Sequence, residues 1–268
     1  MIKKIIQLTL LINFSFCQIR DIKPDQTINI FSPGFFEKRS VSTQQAARYA
    51  KNNILQEPYT TCTYNDNRLQ ANFGQTNDIK TLFKTYTDYC NNDIDQRVIL
   101  TGISRGASTL FNFIGTHNPK NIGAIVAESP FATLDDVIQH TLNIWHIGWL
   151  PNAITTALMK IKYPAYDPHG IQPITSISEK NNNIPILIVC SIQDTAIPYT
   201  SSMRLAQKLK DTEHENVYLL VLMQGAHGFL SYQEKFQHVA HAFYARYNLP
   251  YNKKLAEQGI TILEGCRL

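Results

Sequence analysis

The sequence has few of the residues that mark non-globular proteins. Glycine and proline occur only 12 times each and are scattered, which excludes a fibrous or low-complexity chain. Charged residues make up 17% and apolar residues 44% of the 268 positions, a composition that excludes a disordered chain and predicts a sizeable core. The chain also has no internal repeat. The sequence therefore predicts one large globular domain, or at most two small ones.

The sequence also lacks a strong charge of either sign. The net charge is +4, and Lys3 and Lys4 supply two of those charges, so the chain after Cys17 is near +2. No basic stripe is present. The overall charge therefore gives no argument for nucleic acid or an anionic membrane as the partner.

No apolar run is long enough to span a bilayer, which takes about 20 residues. The clearest run covers residues 5–16, follows Lys3 and Lys4, and ends with small side chains at Ser15 and Cys17. This pattern predicts a secretory signal peptide at 1–17, a mature domain at 18–268 and a secreted or periplasmic protein. An N-terminal strand or helix of the domain is the alternative, and bulky neighbours argue against a lipid anchor on Cys17.

Four cysteines follow the signal, an even number that allows three disulfide pairings. If a disulfide forms in an oxidising compartment, Cys62 and Cys90 are the favoured pair. Cys190 closes an apolar run and is expected to be a buried thiol, and Cys266 lies near the C-terminus. None of the spacings suits a metal, and we expect neither a metal nor an organic cofactor.

Strand-like and helix-like segments alternate after the signal. The strand-like segments are continuously apolar, which predicts an α/β fold with a mostly parallel sheet and helices on both faces. The predicted strands are Ile28–Phe31, Thr60–Tyr64, Arg97–Thr101, Ile122–Ala127, Ile184–Cys190 and Val217–Leu222. The predicted helices are Thr43–Ile54, one that Asn77 caps, Ala107–Ile114, Thr200–Lys210 and Gln233–Tyr247.

The segment 131–183 breaks the alternation. It is too long for an ordinary connection, so it must carry structure of its own, and we predict a small helical cap over the strand ends. An ordinary pair of crossover helices is the alternative. Trp145 and Trp149 lie in this segment, and we expect one of them to line the entrance to the site.

The sequence Gly102-Ile-Ser104-Arg-Gly106 has the pattern G-x-S-x-G between a predicted strand and a predicted helix. In that context the serine lies on a strained turn with its hydroxyl exposed, and the flanking glycines keep side chains away from it. The helix N-terminus adds backbone donors and a favourable dipole. Ser104 is therefore the candidate nucleophile.

A serine nucleophile needs a base and a group that orients the base. His227 follows the last predicted strand in the flexible loop Gln224–Gly228 and is the candidate base. Asp194 is the one carboxylate in the loop after the preceding strand, and it is the candidate acid. Glu128, directly after the fourth strand, is its competitor.

The oxyanion that forms during acyl transfer needs two N–H donors. The N–H of Arg105, the residue after the nucleophile, is one candidate. The second should come from the loop after the first strand, where Pro33 has no N–H and Phe35 is the best candidate, with Gly34 behind it.

These motifs, in this order, resemble the α/β-hydrolase superfamily over residues 28–247, and within it the serine aminopeptidase-like and monoacylglycerol-lipase-like branch. Two departures stand out. Pro33-Gly34 replaces the usual His-Gly before the oxyanion residue, and the usual leading antiparallel strands are missing or shortened, because only about ten residues separate the signal from the first strand.

The sequence thus predicts a secreted serine hydrolase that cleaves a carboxylic ester through an acyl-Ser104 intermediate. A serine peptidase, aminopeptidase or thioesterase with the same machinery is the alternative, so the expected partner is a small ester or a short peptide, with no nucleic acid and no stable membrane insertion. A non-catalytic binding protein is the alternative of another class, and the intact set of Ser104, Asp194 and His227 argues against it. The oligomeric state stays open.

Overall fold

The computed structural model describes residues 27–35, 39–90, 96–178 and 182–268. The predicted signal peptide at 1–17 lies outside these residues. Within them, six strands form one parallel sheet in the order β2-β1-β3-β4-β5-β6. The strands are β1 (Ile28–Ser32), β2 (Tyr59–Thr61), β3 (Val98–Ile103), β4 (Ile122–Glu128), β5 (Ile186–Ser191) and β6 (Val217–Leu222). The predicted α/β fold with a parallel sheet is confirmed.

Helices cover both faces of this sheet, as predicted for a sheet whose strands are apolar on both sides. The helices are α1 (Arg39–Lys51), α2 (Thr76–Cys90), α3 (Arg105–His117), α4 (Leu134–Ile144), α5 (Asn152–Lys162), α6 (Pro173–Ser176), α7 (Tyr199–Asp211), α8 (Glu234–Arg246) and α9 (Lys253–Glu264). A short 3₁₀ turn, Leu230–Tyr232, precedes α8. In the described part of the chain, no helix has the length and apolarity needed to cross a membrane.

The core has two layers because successive strand side chains point to opposite faces. On one face, Leu100 of β3 packs with side chains of α3 and α7. On the other, Ile99 of β3 packs with Tyr49 of α1 and with aromatic side chains of α8. Parallel strands bring their carboxyl ends to one edge, and the residues after β1, β3, β4, β5 and β6 meet there.

The segment 131–183 contains α4, α5 and α6 in its described part. A small apolar cluster, centred on Phe131, Leu134, Tyr166 and Ile197, joins α4 and the α5–α6 connection to the loop after β5. The segment is therefore tied to the same sheet edge at which the predicted site residues lie.

One predicted helix cap is wrong, and one helix is additional. Asn77 does not cap α2, which begins at Thr76; Asp78 instead accepts the Gly74 N–H at 2.6 Å from within the first turn. Helix α9 was not predicted, although Asn252 caps it by accepting the Leu255 N–H.

The sequence favours the pair Cys62 and Cys90 only if a disulfide forms. Cys62 and Cys90 form no disulfide; all four cysteines of the described chain are free and buried. The thiols of the favoured pair have different partners, Thr85 and Tyr64 for Cys62 and Tyr86 for Cys90. Burial raises the pKa of Cys62 to about 12 and that of Cys90 to about 11, so neither thiol is reactive.

Candidate active site

Ser104 lies on the sharp turn between β3 and α3. Its backbone has φ 54°, a left-handed value that costs free energy for a residue with a side chain. The Ser104 N–H donates to the Glu128 carbonyl at 2.8 Å, so the turn is anchored to the neighbouring strand. A Cβ atom on Gly106 would lie 1.9 Å from the Ser32 carbonyl oxygen, and one on Gly102 would lie 2.8 Å from the Ala107 nitrogen. Both glycines are therefore required by close backbone contacts.

His227 and Asp194 are in direct contact. The Nδ1 atom of His227 lies 2.8 Å from Oδ2 of Asp194. A carboxylate can only accept a hydrogen bond, so Nδ1 carries the proton and Nε2 is left as the basic nitrogen. Gly225 and Gly228, with φ 132° and 74°, shape the loop that presents the ring.

The Asp194 carboxylate is held from both sides. Its Oδ1 accepts the N–H groups of Ala196 and Ile197, each at 2.9 Å, and its Oδ2 also accepts the Ser129 hydroxyl at 2.8 Å. Burial raises the pKa of Asp194, but the hydrogen bond and charge of His227, with the Ile197 and Ser129 bonds, outweigh it and lower that pKa below its usual value. The carboxylate is thus ionised and fixed against His227.

Glu128, the competing acid, binds the loop of His227 and not its ring. Its side chain is fully buried, with one oxygen accepting the Tyr49 hydroxyl and the other accepting the Leu230 N–H at 3.2 Å. Burial raises the pKa of Glu128 to about 7, against the opposing effects of Tyr49 and Leu230. Glu128 therefore anchors the segment three residues beyond His227, whereas Asp194 contacts the imidazole.

The loop that carries the candidate oxyanion donor Phe35 is fixed by the side chain of Arg105. The guanidinium Nη2 donates to the Gly34 carbonyl at 2.8 Å, and Nη1 pairs with Asp66. Its Nε lies 3.8 Å from Asp78, and the group stacks 5.3 Å from the Phe35 ring centroid. The two candidate oxyanion residues, Arg105 and Phe35, are therefore neighbours.

Ser104 and His227 line one cavity of about 760 Å³. Gly34, Phe35 and Arg105 form its wall beside Ser104, and apolar side chains of α4 and α5 form much of the rest. No Asp or Glu is among the described residues that line it. The main apolar lining residues are Phe73, Ile103, Phe131, Leu134, Val137, Ile138, Leu142, Trp145, Ile147, Leu150, Leu158, Met159, Ile197 and Phe229.

The geometry agrees with a family comparison. The model of the prolyl oligopeptidase family matches residues 77–248, which include Ser104, Asp194 and His227 and make up more than half of the chain. The chain belongs to the prolyl oligopeptidase family. It is a serine hydrolase of the α/β-hydrolase superfamily, as the sequence predicted. No curated protein matches the chain significantly.

Solved structures of this fold show the same architecture. Esterase Pf2001 from Pyrococcus furiosus has a TM-score of 0.57 at 17% identity, over 83% of each chain. An acylaminoacyl peptidase from Pyrococcus horikoshii has a TM-score of 0.53 at 16% identity. That match covers 86% of the present chain and only 39% of the peptidase. At such low identity these likenesses show the fold alone.

Two arginines of this prolyl oligopeptidase family member have roles that sequence reasoning missed. Only the N–H of Arg105 was considered, whereas its side chain is 2% exposed and holds the Gly34 loop. Arg48 of α1 donates to the Gly228 carbonyl and lies 4.7 Å from the Phe229 ring centroid, so it holds the His227 loop. The sequence carries one signal for this role of Arg105, which is the presence of a long charged side chain within the G-x-S-x-G turn.

Within the described residues, no group of three or more His, Cys, Asp or Glu side chains is arranged to hold a metal. The residues at the cavity are those of acyl transfer, namely a hydroxyl, an imidazole and backbone N–H groups at a helix N-terminus.

Proposed function

We propose that the protein is a carboxylesterase with the triad Ser104, Asp194 and His227. In this mechanism His227 Nε2 takes the proton of Ser104 Oγ while Oγ attacks the ester carbonyl. The N–H groups of Arg105 and Phe35 hold the oxyanion. His227 returns the proton to the departing alcohol, and a water molecule, activated by the same imidazole, releases the acid from Ser104.

The apolar cavity is the observation that carries the choice of an ester. Its walls suit an acyl chain or an aromatic group, because burial of apolar surface supplies binding energy without a polar partner. An aminopeptidase would need a carboxylate to bind the free ammonium group of its substrate, and the described lining offers none. Charged residues of the lining are Arg48, Arg105 and Lys162, which would repel that ammonium group.

The alternative function is that of a peptidase, and the family match favours it as the second candidate. The family is named for an oligopeptidase, and one structural neighbour is an acylaminoacyl peptidase. A substrate with a blocked N-terminus carries no ammonium group, so the cation-lined wall would tolerate it. Thioesters need the same triad and oxyanion donors.

Two measurements test the proposal. A fluorophosphonate probe should label the wild-type protein and not Ser104→Ala; absence of labelling of folded protein would favour a non-catalytic binder. Nitrophenyl esters of graded chain length, assayed beside free and N-acylated aminoacyl nitroanilides, separate the substrates. A kcat/KM that is higher for the anilides than for every ester would overturn the ester assignment.

We also propose that the protein is exported, on the basis of the residues 1–17 alone. N-terminal sequencing of the protein from periplasm or medium should begin at Gln18. A mature protein that keeps Met1 would refute export by this signal.

A further inference from the structure

The outer face of α5 is apolar where a surface helix is normally polar. Only Thr155 of this helix is fully buried, whereas Ile154, Leu158 and Ile161 are 48%, 54% and 67% exposed. Their spacing of four and three residues places them on one side of the helix. A helix of this kind presents an apolar stripe outwards.

The connection that leads into α5 extends this surface. Trp145 and Trp149 are 66% and 76% exposed, and Ile144 is 47% exposed. We name as the cap patch Ile144, Trp145, Trp149, Ile154, Leu158 and Ile161. Single exposed apolar side chains are ordinary, but in the described chain these six of sixteen exposed large hydrophobic residues fall within eighteen positions.

The charges within the segment that carries the cap patch are of one sign. Residues 137–166 contain no Asp or Glu, and their charged residues at neutral pH are Lys160 and Lys162, both exposed at the end of α5. Tryptophan is favoured at the boundary between water and lipid, and lysine is attracted to anionic head groups. This local composition fits a lipid surface, although the net charge of the whole chain does not reveal it.

The cap patch is continuous with the cavity. Trp145 and Leu158 belong to both, because each is exposed outside and also lines the space above Ser104. An acyl chain at a lipid surface that covers the patch could therefore pass from lipid to cavity along apolar side chains. Such a path avoids transfer of the chain through water, which is unfavourable for every CH₂ group that water would hydrate.

We propose that the cap patch docks on a lipid surface and that the enzyme takes its ester substrates from that surface. The docking is peripheral, with side chains at the depth of the head groups and no segment across the bilayer. The identity of the substrate rests on the proposed esterase function, whereas the docking does not.

Tryptophan fluorescence can report docking of the cap patch, because the 2 tryptophans of the chain both lie in it. The experiment uses the Ser104→Ala full-length protein with vesicles of phosphatidylcholine, alone or with phosphatidylglycerol. We expect the emission to shift to the blue, lipids brominated in the acyl chains to quench it, and the protein to sediment with the vesicles. Phosphatidylglycerol should strengthen binding, and high salt should remove that gain.

Ile154→Ser/Ile161→Ser tests the surface without touching the cavity, because neither residue lines it. We expect this variant to bind vesicles about tenfold or more weakly, and to hydrolyse a water-soluble acetate ester as the wild type does. The matched control is Ile260→Ser, which removes a 53% exposed isoleucine from α9 and should bind like the wild type.

Tryptophan emission unchanged by either vesicle, with no sedimentation, would overturn the proposal. So would light scattering that shows a dimer in which the Ile154→Ser/Ile161→Ser variant is monomeric, because the patch would then join two copies. Vesicle binding without hydrolysis of any ester by the wild type would leave the docking intact and refute the esterase function. The two failures are therefore distinguishable.

Discussion

Replacement of Asp194 by Asn should abolish most of the activity and leave substrate binding almost unchanged. The amide oxygen should stay on the N–H groups of Ala196 and Ile197, so the NH₂ group takes the position of Oδ2, 2.8 Å from Nδ1. An NH₂ group only donates, so the imidazole loses the tautomer in which Nε2 is basic. Loss of an orienting acid of this kind costs on the order of 10⁴ in kcat. Asp194 does not line the cavity, so KM should change little.

Glu128→Gln is the matched control, because it removes a buried carboxylate at the end of the neighbouring strand. A glutamine oxygen can still accept the Leu230 N–H, so the loop of His227 keeps its anchor. We expect kcat to fall by about tenfold at most, since the imidazole keeps its own carboxylate. Initial rates on a nitrophenyl ester, with melting curves to show that both variants fold, provide the measurement.

Glu128 should instead make stability depend on pH. Its folded pKa of about 7 lies above its usual value of 4.5, so the folded state binds this proton more tightly than the unfolded state does. The stabilisation is present below pH 4.5 and is lost as the pH rises towards 7, by on the order of 3 kcal/mol. Denaturant titrations at several pH values should show this slope in the wild type and its loss in Glu128→Gln.

The result that would refute the assignment is a reversal of the two activities. If Glu128→Gln were inactive and folded while Asp194→Asn kept most of its kcat, the orienting acid would be Glu128. The contact of 2.8 Å between Asp194 and His227 would then not be the catalytic one.

Three further predictions follow from individual contacts. Arg105→Met should lower kcat by about 10²-fold or more and destabilise the fold by about 3–5 kcal/mol, because the Gly34 carbonyl loses its donor and the buried ion pair with Asp66 is broken. Arg105→Lys should recover part of both losses. Trp145→Ala should change the preference between short and long acyl esters more than it changes the melting temperature, and equal losses on all chain lengths would contradict this. In a thiol assay the folded protein should show no reactive thiol at Cys62, Cys90, Cys190 or Cys266, and reductant should not shift its melting temperature.

The fold could be predicted from the sequence because its strands are signalled locally. Each predicted strand overlaps an observed one, and Val217–Leu222 has the same bounds in both. Predicted and observed bounds differ at the ends of elements, where contacts with neighbouring residues decide the last residue. For example, α1 ends at Lys51, because the Ile54 N–H folds back to the Tyr49 carbonyl in a turn. Such tertiary control of element ends has no signature in local periodicity.

The hydrogen bonds from the side chains of Arg105 and Glu128 that hold the loops of the site, which we call clamps, could not be predicted. They join parts of the chain that are distant in sequence. Arg105 reaches Gly34 across 71 positions, and Glu128 reaches Leu230 across 102. Ser104, Asp194 and His227 could be proposed as the triad from the sequence because the order of motifs after successive strands points to them. The direction of the Arg105 side chain depends on Asp66 and Asp78, which no short pattern connects to the G-x-S-x-G motif.

These clamps explain how a strained site and an apolar pocket coexist in one chain. Ser104 has an unfavourable φ, and the loops of Gly34 and His227 lack regular secondary structure, so each needs a partner that fixes it. The Glu128 carbonyl holds the Ser104 turn, and the buried side chains of Arg105 and Glu128 hold the two loops through hydrogen bonds of strict geometry. The walls from α4 and α5 are apolar, and apolar packing tolerates changes of shape better than directed hydrogen bonds do. Substitutions that alter substrate choice without loss of catalysis should therefore lie in 131–183, and those that abolish catalysis should lie at Ser104, Asp194, His227 and Arg105.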